Sequence, residues 1–215
     1  MDVNKDGKIS LEDFDELFCS YGGAKMDNEI WTSLVRGKKD SKSDFHQCYV
    51  STYSNDYPSL RTVVLRHANK DNLTISFHTD IRSNKINNIN DNPNVTVLLY
   101  SHDKKIQIQI KGTAEINNQN ERTSEVWKNI RSFSKKCYIV EQAPGSKSDV
   151  PLSGYLPEHE KTVPDDEVLE QGYKNFSLID VKIKRIEWLY LHRFGHRRAQ
   201  FEIQNDEVNK QWLAP

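Results

Sequence analysis

The chain lacks the features that direct a protein out of an aqueous, reducing compartment. No run approaches the roughly 20 apolar residues that span a bilayer. The first ten residues, MDVNKDGKIS, have neither the basic start nor the apolar stretch of a secretory signal. The three cysteines, Cys19, Cys48 and Cys137, are too few and too widely spaced to predict a disulfide framework or a zinc site. We therefore expect a cytoplasmic protein without a membrane partner.

An excess of charge of one sign is also missing. The 30 Lys and Arg residues nearly cancel the 31 Asp and Glu residues, which argues against a nucleic-acid partner. Apolar residues make up 36% of the chain and charged residues 28%. This polarity is compatible with a barrel whose remaining apolar face is covered by a second subunit. The 215 residues are enough for one domain and a small appendage.

The pattern of apolar residues favours a mainly β (α+β) fold. Residues 1–25 are acidic and end in a glycine pair typical of a linker, so we place the main domain at 26–215. Two helices are predicted, at Arg82–Asn90 and Glu121–Phe133, and a long polar loop at 143–175. Period-2 alternation predicts seven strands: Phe45–Tyr53, Ser59–His67, Leu73–His78, Val95–Tyr100, Lys105–Ile116, Leu178–Leu191 and Arg198–Ile203. Many short strands with few helices favour a barrel.

Two segments carry residues suited to binding a phosphate and a polar ring. The strand in PSLRTVVLR (58–66) has Arg61 and Arg66 near its ends, and in TDIRSNK (79–85) the residues Arg82, Ser83 and Lys85 open the predicted helix. A helix start with free backbone N–H groups, a hydroxyl and cations is suited to a phosphate. In IQIQIKG (106–112), the amide of Gln107 can both donate and accept hydrogen bonds.

Taken together, these segments resemble the flavin-binding half of the pyridoxamine 5′-phosphate oxidases. The shared features are P-S-x-R-T-V-V-L-R, F-x-T-D-x-R-S-x-K, N-P and a strand with Gln before Gly. Near the C-terminus, IEWLYLHRFGHRRAQFE (186–202) resembles the family's Trp-plus-H-x-R segment, and WLAP (212–215) resembles its ending. The resemblance covers roughly residues 28–215. It implies an FMN-binding split β-barrel of Greek-key type with a few peripheral helices.

The resemblance also implies a cofactor site and an assembly. Lys85 would pair with the FMN phosphate, and Gln107 would reach the edge of the ring. Trp188 and Arg198 would come from the second subunit of a homodimer with FMN at the interface. The full set of implied FMN contacts is Arg61, Val64, Arg66, His78, Thr79, Arg82, Ser83, Lys85, Gln107, Trp188 and Arg198.

The substrate side of the resemblance is less regular. It implies substrate contacts at Trp127, Arg131, Arg193 and His196, but the last two are three residues apart where the oxidases have two, and Arg197 replaces an acid. We favour an FMN-dependent oxidoreductase acting on a small organic substrate. A non-catalytic flavin- or ligand-binding module and a true pyridoxamine or pyridoxine 5′-phosphate oxidase remain open alternatives.

The N-terminal residues DVNKDGKISLED (2–13) follow the EF-hand calcium-loop template. Its ligands would be Asp2, Asn4, Asp6, the backbone of Lys8, and Asp13. Asp13 stands where the template has a bidentate Glu, a form closer to dockerin-type loops, and no second loop pairs with this one. The sequence therefore predicts either a calcium site or a capped surface helix with an acidic lead-in.

Overall fold

A computed structural model describes residues 23–204 and 207–215. Its strands are β1 (Gln47–Thr52), β2 (Ser59–Asn69), β3 (Thr74–Asp80), β4 (Asn94–Ser101), β5 (Ile106–Asn117), β6 (Phe176–Tyr190), β7 (Arg197–Gln204) and β8 (Glu207–Leu213). Its α-helices are α1 (Gly23–Lys39), α2 (Asn84–Asp91), α3 (Glu121–Lys128), α4 (Ser132–Lys135) and α5 (Asp166–Glu170). Short 3₁₀ turns lie at Lys136–Tyr138, Pro157–His159 and Gln171–Asn175.

Six antiparallel strands close into a barrel. The strand order is β3-β2-β1-β4-β5-β6, and β3 pairs again with the N-terminal half of β6. The C-terminal half of β6 leaves β3 and pairs with β7, which carries β8 as the outer strand. The barrel is therefore split at one seam, and the prediction of a mainly β split barrel with a few peripheral helices is confirmed.

Alternation along the strands builds the barrel interior. In β4, Val95, Val97 and Leu99 are buried while the residues between them are half-exposed. The register places Leu99 opposite Ile108 and Val97 opposite Ile110, so branched side chains meet across the strand pair. Complete burial of each such side chain stabilises the fold by about 1.5–3 kcal/mol.

Helix α1 adds an apolar face to this core. Met26, Ile30, Trp31 and Leu34 recur at helical spacing and are all buried in the main core cluster. This helix was not predicted, and the domain boundary predicted after residue 25 falls inside it. The N-terminal unit itself stays a prediction, because residues 1–22 lie outside the part of the chain that the structure describes.

A second, smaller core lies outside the barrel. Trp127 of α3 packs with Tyr138, Phe176 and Leu178, and the Trp127 and Phe176 rings are 5.2 Å apart. Phe176 and Leu178 belong to β6, so this cluster fixes the 121–138 segment against the barrel wall.

The helix predicted at Glu121–Phe133 is divided into α3 and α4. Asn120 caps α3, since its Oδ1 accepts from the backbone N–H of Thr123 at 2.9 Å and its own N–H donates to Thr123 Oγ1 at 2.9 Å. Arg131 has extended dihedral angles (φ −63°, ψ 141°) and precedes α4. This break separates Arg131 from the helical face that carries Trp127.

The remaining differences from the predicted elements lie near the C-terminus. β8 was not predicted, and the loop predicted at 143–175 contains α5 and two 3₁₀ turns. All seven predicted strands are present. None of the described helices combines the length and apolar character that crossing a bilayer requires.

Candidate functional site

Lys85 lies in the first turn of α2, beside two hydroxyl groups. Its Nζ donates to Thr79 Oγ1 at 2.8 Å and to Ser83 Oγ at 2.8 Å. Ser83 is the N-cap of α2, but its side chain makes no capping hydrogen bond. The start of the helix therefore presents a cation and two hydroxyl groups together with the first-turn backbone N–H groups.

Arg61 brings a second cation to this region. Its Nη1 donates to Thr52 Oγ1 at 2.8 Å and to the carbonyl of Val50 at 3.2 Å, and its Nη2 donates to Ser59 Oγ at 2.5 Å. Asn88 of α2 also donates to Thr52 Oγ1, at 3.0 Å, and so links Arg61 to the helix that carries Lys85. We call Lys85, Thr79, Ser83 and Arg61 the Lys85 cluster. Thr52, Ser59 and Asn88 were not predicted as site residues, and only the fold brings them together.

The electrostatics of the cluster favour an anion. Burial lowers the pKa of Lys85, and the nearby charge of Arg61 lowers it further. Burial also lowers the pKa of Arg61. Among the ion pairs that involve described residues, none includes either cation. A bound phosphate would relieve their mutual repulsion, so the residues present fit a phosphate group.

Arg82, also predicted to contact the cofactor, is directed elsewhere. Its Nε and Nη2 donate to the Asp80 carboxylate at 3.0 and 2.7 Å. Its Nη1 and Nη2 donate to the carbonyls of Glu141 and Val140 at 3.0 and 3.1 Å. The structure therefore does not direct this guanidinium to the hydroxyls of the Lys85 cluster.

A cavity of about 690 Å³ lies over β2 and β3, between the C-terminal end of α1 and the α3–α4 segment. The Nε of Arg66 and the Nε2 of His78 are buried at this cavity and have no hydrogen-bond partner among the described residues. Burial, aided by the charge of Arg66, lowers the pKa of His78 to about 3, so its ring is neutral. Unpaired buried groups of this kind cost about 1–3 kcal/mol each unless a ligand or water completes them.

The same cavity is rich in positive charge. Its charged lining residues are Lys38, Lys39, Arg66, Arg122, Arg131 and Glu125. Arg122 is held by Asp180, while Arg131 is exposed and lies near Ser134, which also lines the cavity. Lys38, Lys39 and Ser134 were not predicted. The two lysines are the last residues of α1, a helix that was itself not predicted. For Ser134, the only local indication in the sequence is its position three residues after Arg131.

Other predicted residues are distributed over the rest of the fold. Val64 lies in the middle of β2, opposite Gln47. Trp127 is buried, and its Nε1 donates to Glu170 at 2.9 Å, so its indole N–H is already engaged. Arg193 and His196 are exposed between β6 and β7.

Gln107, Trp188 and Arg198 lie on β5, β6 and β7, on the side of the split barrel where β6 has left β3. Trp188 is buried and stacks on Tyr190 with ring centroids 6.2 Å apart. Arg198 Nη2 pairs with Glu187 at 2.5 Å. Among the described residues, no hydrogen bond or ion pair joins Gln107 or Arg198 to the Lys85 cluster of the same chain.

The predicted calcium loop lies within residues 1–22, outside the described residues. In the part of the chain that the structure does describe, no group of three or more His, Cys, Asp or Glu side chains is arranged to hold a metal ion.

Comparison with known proteins agrees with this geometry. Residues 28–118 match the family model described as pyridoxamine 5′-phosphate oxidase, FMN-binding domain. The matched segment includes Arg61, Thr79, Ser83, Lys85 and Gln107. No match was found among curated protein sequences.

Solved structures support the same fold. A pyridoxamine 5′-phosphate oxidase-related, FMN-binding protein from Nostoc punctiforme is 20% identical, with a TM-score of 0.69 over 87% of this chain and 96% of that one. PhzG from Burkholderia lata, in complex with tetrahydrophenazine-1-carboxylic acid, is 16% identical, with a TM-score of 0.60 over 88% and 90% of the two chains. The chain thus has the split-barrel fold of pyridoxamine 5′-phosphate oxidase-like proteins.

Proposed function

We propose that this chain is an FMN-binding flavoprotein of the pyridoxamine 5′-phosphate oxidase-like family, and that it is an oxidoreductase for a small anionic organic substrate. The observation that carries the proposal is the pairing of Lys85 with Thr79 and Ser83 at the start of α2, close to Arg61. The match of residues 28–118 to an FMN-binding domain supports the same ligand.

A phosphate monoester suits the Lys85 cluster. Such a group carries about −1.5 to −2 charges near neutral pH. Two cations and two hydroxyl groups can neutralise and hydrogen-bond it, and the first-turn N–H groups of α2 add further donors. Neutral ligands gain much less from this arrangement, so the cluster would select FMN over riboflavin.

Bound FMN would supply hydride transfer at its ring. The chain's own residues would bind and orient the substrate. Arg66 offers a half-buried guanidinium, and the neutral ring of His78 offers a hydrogen-bonding nitrogen. Arg131, which lines the same cavity, would hold the anionic group of the substrate.

We also propose that the protein is a homodimer with FMN at the interface. Gln107 and Arg198 belong to the part of the barrel formed by β5 to β7, whereas the Lys85 cluster is formed by β2, β3 and the start of α2. In a dimer, a second copy of the chain would place its own Gln107 and Arg198 next to the Lys85 cluster of the first. Tyr49 and Leu60 lie on the adjacent strands β1 and β2 and are 42% and 66% exposed. This apolar part of the outer face of the barrel could be buried against a second copy.

Release and identification of the native ligand would test the proposal. Mass spectrometry of protein purified without added flavin is expected to find FMN, and the absorbance spectrum should show flavin bands. A colourless protein that does not bind added FMN would refute the proposal.

Turnover tests would then separate the open alternatives. Oxygen consumption with pyridoxamine 5′-phosphate would favour a vitamin B6 oxidase, to which the cations of the cavity are also suited. FMN that is reduced by no donor in a broad screen would favour a binding module without turnover.

A further inference from the structure

The guanidinium of Arg82 joins two parts of the chain that are far apart in sequence. One is the turn that carries Thr79, Ser83 and Lys85. The other is the segment 140–145, which begins the long connection to β6. All three side-chain nitrogens of Arg82 are engaged in this junction. Nε and Nη2 donate to the Asp80 carboxylate, Nη1 donates to the carbonyl of Glu141, and Nη2 also donates to the carbonyl of Val140.

Asp80 completes the junction from the other side. It is 8% exposed, and its Oδ1 also accepts from the backbone N–H of Arg82 at 2.8 Å. The backbone carbonyl of Asp80 accepts from the backbone N–H of Ser83 at 3.1 Å. Asp80 therefore contacts both the Arg82 side chain and the backbone of the turn that ends at the N-cap of α2.

The segment held by Arg82 passes beside the start of α2. A Cβ atom added to Gly145 would lie 3.9 Å from the side-chain nitrogen of Asn84, the first residue of the helix. Nearby, Ile81 donates to the carbonyl of Asn175, and the Asn175 amide donates to the carbonyl of Tyr138 at 2.7 Å. The turn is thus supported on its outer side by backbone from two other segments.

We infer that Arg82 is a positioning residue for the flavin phosphate: with Asp80 it clamps the 140–145 segment against the start of α2 and thereby fixes Ser83 and Lys85. The inference rests on the proposed function, because it assumes that FMN occupies the Lys85 cluster. It differs from the role that the sequence predicts, in which Arg82 would contact the cofactor itself. Arginine suits the clamp because its planar fork can serve a carboxylate and two carbonyls at once, and lysine cannot.

The two roles predict opposite effects of Asp80→Asn. If Arg82 were a direct phosphate ligand, removing the carboxylate would free the guanidinium and remove a nearby negative charge, so FMN would bind more tightly. If Arg82 positions the turn, the same change loosens the clamp and FMN binds more weakly. Arg82→Lys separates the roles too, since a direct ligand would tolerate the retained charge.

The experiment measures the Kd of FMN and of riboflavin by quenching of flavin fluorescence for the wild type, Arg82→Lys and Asp80→Asn. We expect both variants to weaken FMN roughly 10- to 100-fold, in proportion to the charge-assisted hydrogen bonds lost, with riboflavin changed less than about twofold. Arg36→Lys and Asp40→Asn serve as matched controls, because Arg36 and Asp40 form an exposed ion pair on and just after α1.

Tighter FMN binding by Asp80→Asn, or unchanged FMN binding by both variants, would overturn the inference and leave the proposed function intact. Equal weakening of FMN and riboflavin would overturn it as well, because it would indicate general loss of structure. A wild type that binds neither flavin would refute the proposed function, and the inference with it.

Discussion

Lys85 and Thr79 meet at 2.8 Å, Nζ to Oγ1, across the turn between β3 and α2. The hydroxyl can orient the ammonium but cannot neutralise it, so the charge remains available to a ligand. Burial and the charge of Arg61 both lower the pKa of Lys85, and the nearby Asp80 carboxylate opposes them only in part, so the charged form is disfavoured at some cost. An anion bound at the pair would offset that cost.

Lys85→Met should therefore impair FMN binding selectively. The change removes the ammonium and keeps most of the side-chain volume. We expect the Kd of FMN to rise about 10- to 100-fold, because hydrogen bonds to charged groups contribute roughly 1.5–3 kcal/mol. The Kd of riboflavin should stay nearly constant in the same fluorescence titration.

Lys70→Met is the control for this variant, since its ammonium pairs with Asp27 at 2.8 Å and is absent from the Lys85 cluster. Equal losses of FMN and riboflavin affinity in Lys85→Met would contradict a phosphate-specific role.

Acid should destabilise the flavin-free protein partly through His78. Burial lowers the pKa of this ring from its ordinary 6.5 to about 3, with Arg66 and His67 adding to the effect. Between these two pH values the unfolded chain binds the proton and the folded chain does not. The stability associated with neutral His78 is therefore complete above pH 6.5 and is lost as the pH falls, by about 1.4 kcal/mol per pH unit.

Urea unfolding between pH 7 and pH 4 can measure this loss. His78→Gln has no ring to titrate, so its free energy of unfolding should fall less steeply than that of the wild type. His67, whose pKa burial also lowers, is present in both proteins, so the difference between the two slopes reports mainly on His78. Parallel slopes would show that His78 does not titrate as inferred.

Local pattern was enough to predict most of the barrel. The strands alternate clearly, as in β4, and Arg82, Ser83 and Lys85 at a helix start predict a phosphate site. In the structure Lys85 contacts Thr79 and Ser83, whereas Arg82 pairs with Asp80. Helix α1 was missed although Met26, Ile30 and Leu34 recur every four residues. The glycine pair Gly22 and Gly23 favoured the interpretation of this region as a linker, so the helical spacing was not recognised.

The unpredicted parts of the site depend on contacts between distant segments. Nothing near Arg82 in the sequence indicates that its partners include the carbonyls of Val140 and Glu141, 58 and 59 residues later. In the same way, Lys38 and Lys39 reach the cavity only because α1 packs beside β2. The sequence shows that these side chains are cations that can bind an anion. Which groups each cation contacts depends on the tertiary structure.

Arg131→Ala should weaken the binding of anions next to the flavin without releasing FMN. Arg131 lines the cavity and is exposed, whereas the Lys85 cluster is formed by other segments. Titration of the FMN-loaded protein with inorganic phosphate, followed by flavin absorbance, is expected to give a Kd about tenfold higher in the variant. FMN affinity should stay within about twofold of the wild type.

Arg36→Ala is a suitable control for Arg131→Ala, because Arg36 is an exposed arginine engaged by Asp40 and does not line this cavity. An unchanged phosphate titration in Arg131→Ala would remove this residue from the proposed substrate site.

Hybrid dimers can test whether two copies complete each flavin site. Lys85→Ala would damage the phosphate end of a site, and Arg198→Ala would damage the part proposed to come from the second copy. Each variant alone should bind FMN poorly. When they are mixed and allowed to exchange subunits, half of the dimers become hybrids with one intact site each, so about a quarter of all sites should regain wild-type affinity.

FMN affinity can be regained after subunit exchange only if each flavin site contains residues from both subunits. If each chain built its site alone, Lys85→Ala and Arg198→Ala would damage that site independently and mixing would restore none. Light scattering of the wild type should show a dimer, and a monomer that still binds FMN tightly would contradict the arrangement. Because Arg198 also pairs with Glu187 in its own chain, thermal unfolding of Arg198→Ala must first show that the variant remains folded.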